Sequence, residues 1–219
     1  MEKIVQISRL HFPVTTLGYG RRIGIWTQGC SIRCPGCVSR DTWERRSELG
    51  VPVSEIIRSL RPWLSVADGV TLSGGEPFDQ AVGIRELLLQ LRSEFDGDIL
   101  AFSGYSRADL DSRHPDIVQM LDVVITEPFA QGAKQTLALR GSDNQRVFLL
   151  TELARRRYPE GIDHLPWGEK RGLDVVVHED GVWMAGIPRQ EDMARLREQL
   201  AMRGFACRGS DQRRTIVRA

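Results

Sequence analysis

Over the first 150 residues, short apolar runs rich in β-branched side chains alternate with stretches of helical period. Residues 3–10 and 22–28 read as strands, 52–64 as a helix and 69–72 as a strand. Within 80–95, Ile84, Leu87, Leu88, Leu91 and Phe95 fall on one face, the stripe of a helix packed on a sheet. A strand follows at 98–102, and Ser106-Arg107-Ala108-Asp109 has the capping-box spacing that opens another helix. Strands at 123–126 and 146–150 complete the series. Such strand–helix alternation predicts an α/β fold, either a parallel sheet or a partial (β/α) barrel.

The period breaks between about residues 155 and 172, where Pro159, Gly161, Pro166, Gly168 and Gly172 intervene. Beyond the break, 174–178 and 182–185 flank Glu179-Asp180-Gly181, a hairpin signal because glycine accepts positive φ at low cost. Met193, Leu196 and Leu200 then mark an amphipathic helix after Pro188, ended by Gly204. The expected organisation is a core over 1–152 and a small hairpin-plus-helix extension over 173–210.

Composition narrows the function classes. With 219 residues, 41% of them hydrophobic, the chain can bury one good core. Lys+Arg 30 against Asp+Glu 29 leaves a net charge of +1, no field to draw in nucleic acid or a membrane surface. The start, Met1-Glu2-Lys3, is unlike a signal peptide, and nothing resembles a run of ~18 apolar residues. A cytoplasmic, reduced setting is expected. Arg155-Arg156-Arg157 reads as a solvated helix face or as a docking patch for an acidic partner. His11, His114, His164 and His178 show no ligand spacing, and Trp167 and Trp183 read as core of the extension.

The densest chemistry is Cys30-Ser31-Ile32-Arg33-Cys34-Pro35-Gly36-Cys37. The remaining cysteine, Cys207, lies far away, so a two-disulfide framework is implausible, and three cysteines this close cannot pair without strain. A structural zinc site wants four closed ligands, so it would have to borrow Cys207 or a histidine. Three thiolates on one loop suit a 4Fe–4S cluster with one iron left open.

The run Thr27-Gln28-Gly29-Cys30 to Cys37, followed by Asp41-Thr42-Trp43, resembles the radical S-adenosylmethionine (SAM) enzymes, and among them the activating proteins of anaerobic ribonucleotide reductase. Four later stretches agree in order: Ser73-Gly74-Gly75-Glu76-Pro77-Phe78, Ser103-Gly104-Tyr105, the run from Asp122 to Phe129, and the run from Arg140 to Arg146. The resemblance implies a partial barrel of the radical SAM type. It implies that Cys30, Cys34 and Cys37 hold one 4Fe–4S cluster whose open iron takes the methionyl end of SAM. Gly36, Cys37 and Val38 are then expected to touch SAM through main chain, and Gly74, Gly75 and Glu76 to meet its methionyl end. The two glycines would clear space for backbone approach, and Glu76 would offer a carboxylate. Ser103 and Tyr105 are candidates for the ribose or adenine, with a simple turn and half-buried tyrosine as the rival reading. Glu127 and Asn144 are possible further contacts. Glu127 stands where the family more often has Asp-Gly before the Pro-Phe pair, and Asn144 has a turn-stabilising role as its rival.

The implied activity is reductive cleavage of SAM to a 5′-deoxyadenosyl radical. The implied partners are a glycyl-radical enzyme, such as anaerobic ribonucleotide reductase, and a flavodoxin- or ferredoxin-type electron donor. Two competitors stay open: the same radical chemistry on a small molecule or peptide, which the extension would help enclose, and a non-catalytic iron–sulfur or zinc module.

Overall fold

The computed structural model describes residues 2–168, 172–178, 181–189 and 191–205. Its main sheet has seven strands: β1 (Ile4–Val14), β2 (Arg22–Thr27), β3 (Gly50–Pro52), β4 (Gly69–Gly74), β5 (Asp98–Phe102), β6 (Val123–Thr126) and β7 (Arg146–Leu149), in the order β3-β1-β2-β4-β5-β6-β7. The four inner strands, β2, β4, β5 and β6, run parallel, and β1, β3 and β7 pair antiparallel at the flanks. The fold is thus mixed α/β, with the predicted parallel series at its centre. The short β3 and the antiparallel pairings were not readable from period alone.

Helices α1 (Val53–Leu64) and α2 (Ala81–Glu94) cover one face of this sheet. α2 buries Ile84, Leu87, Leu88 and Leu91, the predicted stripe, against Ile25, Leu72 and Ile99 of the strands. Gly83 lets α2 sit close to β1, since a Cβ there would lie 2.6 Å from the Ile4 carbonyl oxygen. α3 (Arg107–Arg113) opens as its sequence predicts, with Ser106 Oγ accepting from the Asp109 amide. A single turn, α4 (Pro115–Val118), follows it.

The second face is covered by the chain beyond β7. Helix α5 (Glu152–Arg157), which carries the three arginines, runs into the stretch expected to lack period, and a short turn follows at Ile162–His164. There Ala154, Tyr158 and Ile162 pack on Leu100, Val123 and Ile125. Of the three consecutive arginines, Arg155 pairs with Glu152, whereas Arg157 reaches in to Asp98 at 2.7 Å. Asp98 is also bound by Arg22, at 2.8 Å and fully buried, and by the Tyr158 hydroxyl at 3.0 Å. A buried carboxylate persists only with such pairing.

Strands β8 (Leu173–His178) and β9 (Gly181–Gly186) form the predicted hairpin, and α6 (Asp192–Met202) the predicted helix. Trp183 of β9 stacks edge-on against Trp26 at 5.0 Å, contacts His11 at 4.7 Å and lies under the Arg9 guanidinium. Ala185 and Ile187 complete this contact with Val14 and Leu17. Cys207 and the end of the expected extension lie outside the described residues.

Trp183 is thus the hairpin's aromatic attachment to the sheet, beside a polar one in which the Asp174 carboxylate accepts from the amides and hydroxyls of Thr15 and Thr16. Trp183→Ala is expected to cost about 2–4 kcal/mol in urea unfolding. Hydrogen exchange should quicken across residues 173–186 while α2 stays protected, and equal quickening in α2 would refute this local role.

Candidate active site

Parallel strands end on one edge of their sheet, and here that edge gathers the candidate residues. β2 leads into the cysteine loop, β4 into Gly75 and Glu76, β5 into Ser103–Tyr105 and β6 into Glu127. Ligands of open α/β sheets bind at this carboxyl edge.

The cysteine loop is closed at its root by main chain and by one side-chain amide. The Gly29 and Cys30 amides donate to the carbonyls of Thr42 and Trp43 at 2.7 and 2.9 Å. Gln28 Nε2 donates to the Asp41 and Glu44 carbonyls at 3.1 and 2.6 Å. The loop then rests on each following strand end. The Glu76 amide donates to the Gly29 carbonyl at 2.9 Å, and a Cβ on Gly75 would lie 2.1 Å from that oxygen. Ile32 fills the space over Gly104, 2.9 Å from where a Cβ would stand. Ser31 donates its amide and hydroxyl to Asp79 at 2.7 and 2.9 Å, and the Tyr105 hydroxyl joins the same carboxylate at 2.7 Å.

These contacts give the paired glycines a reason inside the protein as well. Sequence reads Gly74 and Gly75 as room for a ligand, and the positions their Cβ atoms would take also meet Thr27 and Gly29 backbone. Gly74 also has φ +100°, a conformation open to glycine and strained for other residues. Glu76 likewise spends its acceptors inside the protein. It is buried, and its carboxylate takes the Gly104 amide at 2.7 Å, the Ser103 hydroxyl at 2.9 Å and the Phe78 amide at 3.1 Å. Burial pushes the Glu76 carboxyl up to about 7, with those donors opposing.

The thiols of Cys30, Cys34 and Cys37 are partly buried and unpaired. Burial raises all three, while amides aimed at the sulfurs favour the thiolates: Ile32 and Arg33 at Cys30, Phe129 at Cys34, Ser39 at Cys37. The Ser39 amide stands 3.4 Å from Cys37 Sγ. The Trp43 indole N–H also favours the Cys37 thiolate, yet its nitrogen is buried without a complete hydrogen bond. Donors clustered on three sulfurs, one of them orphaned, fit anionic, metal-bound thiolates. Among the described residues, no three His, Cys, Asp or Glu side chains converge as ligands of one metal ion.

At the rim, Gly36 lies beneath Gln131, and Val38 is exposed. Glu127 holds φ +80°, rare for a residue with a Cβ and a conformation that glycine takes without strain. Its amide donates to the Tyr105 carbonyl at 3.0 Å, and its carbonyl accepts from Gln145 Nε2 at 3.0 Å. Asn144 stands farther out and donates to the Pro128 carbonyl at 2.8 Å, a bond within its own loop. Sequence reasoning missed Asp79 and Gln131, and named Gln28 only as part of the cysteine-loop motif, without its bracing role. Each is an ordinary polar residue whose partner is distant in sequence, so no local pattern announces it.

A family model described as "4Fe-4S single cluster domain" matches residues 16–148. The chain belongs to this family. Membership in the single-cluster family brings one 4Fe–4S cluster with it. Among curated proteins, the chain is 32% identical over 147 residues to the anaerobic ribonucleoside-triphosphate reductase-activating protein of Escherichia coli (strain K12), covering 63% of this chain and 94% of that protein. The protein of the same name from Enterobacteria phage T4 is 29% identical over 140 residues, covering 62% of this chain and 88% of its own. Among solved structures, QueE from Escherichia coli aligns with a TM-score of 0.39 at 18% identity, over 46% of this chain and 52% of that one, a likeness that carries no argument. None of the helices among the described residues of this family member is long and apolar enough to cross a membrane.

Gly75→Ala is expected to push the Gly29 carbonyl aside, costing about 1–3 kcal/mol and lowering iron content after reconstitution. Gly132→Ala, where a Cβ meets nothing within 4 Å, is the control expected to match wild type in both assays.

Glu76 gives a pH signature. Its folded carboxyl titrates near 7, above its ordinary 4.5, so the native state holds the proton more tightly. The stability this contributes is present below about 4.5 and lost as pH rises through 7. Relative to Glu76→Gln, the wild-type apoprotein should lose up to about 3 kcal/mol between those limits in urea melts. A flat difference would show the carboxylate ionised throughout.

Proposed function

We propose that this protein is a radical SAM activating enzyme that installs a glycyl radical on a partner of the anaerobic ribonucleotide reductase type. The observation that carries the reading is the convergence of the three-cysteine loop, Gly74-Gly75-Glu76 and Ser103-Gly104-Tyr105 on one sheet edge, in a chain whose curated relatives bear the activating-protein name. When bound, the cluster and SAM supply an electron and a 5′-deoxyadenosyl radical that takes hydrogen from the substrate.

In this reading Cys30, Cys34 and Cys37 each ligate one iron of a cubane, which does not require their sulfurs to meet at one point. Gly36, Cys37 and Val38 border SAM through main chain, Gly74 and Gly75 bring β4 against the methionyl end, and Ser103 and Tyr105 lie toward the nucleoside. Glu127 is a further possible contact, and Asn144 orders the rim. Glu76 acts chiefly by fixing Gly104 and Ser103, a positioning task served by its three accepted hydrogen bonds. Asp79 holds the loop against the same edge through Ser31 and Tyr105. The sheet forms the partial barrel of the radical SAM type within a core over 1–152, with 173–210 as an appended unit, and a flavodoxin- or ferredoxin-type donor reduces the cluster in the cytoplasm.

One observation favours a second reading, action on a small molecule or peptide. The hairpin sits on the sheet face that carries Trp26 and Phe102, where it would narrow access for a large partner.

Anaerobically reconstituted protein should carry about four irons per chain. Incubated reduced with SAM and a candidate glycyl-radical protein, it should yield a glycyl doublet by electron paramagnetic resonance. Cys30→Ala, Cys34→Ala or Cys37→Ala should each abolish SAM cleavage, whereas Cys207→Ala should leave it largely intact. Loss of the cluster in the Cys207 variant would overturn the three-ligand assignment. SAM consumption without any protein radical would move the assignment to the second reading.

A further inference from the structure

Trp43 occupies an unusual position in the cysteine loop. Its carbonyl accepts the Cys30 amide at 2.9 Å, and its ring lies under the Arg40 guanidinium at 5.1 Å. Backbone and ring are therefore both held. The indole nitrogen is buried with no hydrogen-bond partner, although its N–H faces Cys37 closely enough to favour a negative sulfur there. A buried donor left unsatisfied costs about 1–3 kcal/mol, so native proteins seldom keep one without a use. A neutral thiol is a weak acceptor, whereas a thiolate bound to iron carries charge and accepts well.

We propose that Trp43 is a positioning residue for the cluster: its indole N–H donates to the iron-bound sulfur of Cys37, holding that thiolate in place and raising the potential at which the cluster takes up its electron. Hydrogen bonds to cluster sulfurs are among the levers that set such potentials, and a donor favours the more negative, reduced state. Trp43 thereby links the outer two cysteines, Cys30 through its carbonyl and Cys37 through its ring. The Ser39 amide, 3.4 Å from Cys37 Sγ, is the companion donor. This inference rests on the reading of Cys37 as an iron ligand.

The test uses full-length protein grown with tryptophan labelled with ¹⁵N in the indole ring, reconstituted anaerobically and reduced. Pulsed electron paramagnetic resonance should show one ¹⁵N coupling to the cluster, with an exchangeable proton beside it. The other tryptophans, Trp26, Trp63, Trp167 and Trp183, stand on β2, on α1 and on the second sheet face; Trp26 is the nearest in sequence to the loop, so the assignment of the coupling rests on its loss in Trp43→Phe and its survival in labelled Trp26→Phe. In Trp43→Phe the coupling should vanish and the midpoint potential move negative at near wild-type iron content. Arg40→Ala, which keeps the N–H, should retain the coupling. A loaded wild-type cluster without ¹⁵N coupling, or a Trp43→Phe cluster titrating at the wild-type potential, would overturn the inference. If Trp43→Phe takes up no iron, the labelled wild-type spectrum decides alone. Full iron content in Cys37→Ala would instead overturn the ligand assignment beneath it.

Discussion

The cysteine loop has little regular structure of its own, so its shape is set by what it rests on, and at its root that support is the Gly29 carbonyl lying over Gly75. The oxygen accepts the Glu76 amide at 2.9 Å, in a space that any Cβ on Gly75 would enter to within 2.1 Å. This contact joins the end of β2 to the end of β4 and fixes where Cys30 leaves the sheet. From there the Glu76 carboxylate extends the linkage to β5 through Ser103 and Gly104. Three strand ends are thus coupled through one carbonyl, one missing side chain and one buried acid.

Much of this was legible in the chain. The stripe of Ile84, Leu87, Leu88 and Leu91 has only one way to be buried, and the capping box at Ser106 works through contacts three residues apart, so local pattern suffices for both. The cysteine spacing and the strand-then-glycine order likewise lie within short windows. What stayed hidden is held by contacts across long separations. Asp79 meets Ser31 and Tyr105 48 and 26 residues away, and no periodicity encodes such a meeting. α5 was visible only through its arginines, read as a solvated helix face or a docking patch, because its six residues are too short for a periodic signal.

The paired glycines and Glu76 show a subtler limit. Chemistry assigned them to a ligand because glycine makes room and a carboxylate offers charge. Packing uses the same two properties inside the protein, with the room taken by backbone and the charge by amides and a hydroxyl. A motif can therefore belong to a site by shaping its walls.

Asp98 lies at the opposite end of β5 from Ser103, with Arg22 on one side and Arg157 on the other. Those cations come from the second strand of the sheet and from a helix beyond the residues matched by the family model, which ends at 148. The buried Arg22–Asp98 pair is thus capped by a second cation and a hydroxyl from a segment outside the shared family region. That segment and the sheet should open and close as one cooperative unit, because separating them breaks the Arg157 and Tyr158 contacts to Asp98 and lets water reach the buried Arg22–Asp98 pair. Trimming the chain to the family's extent would leave the Arg22–Asp98 pair in place but without the cover that Arg157 and Tyr158 provide.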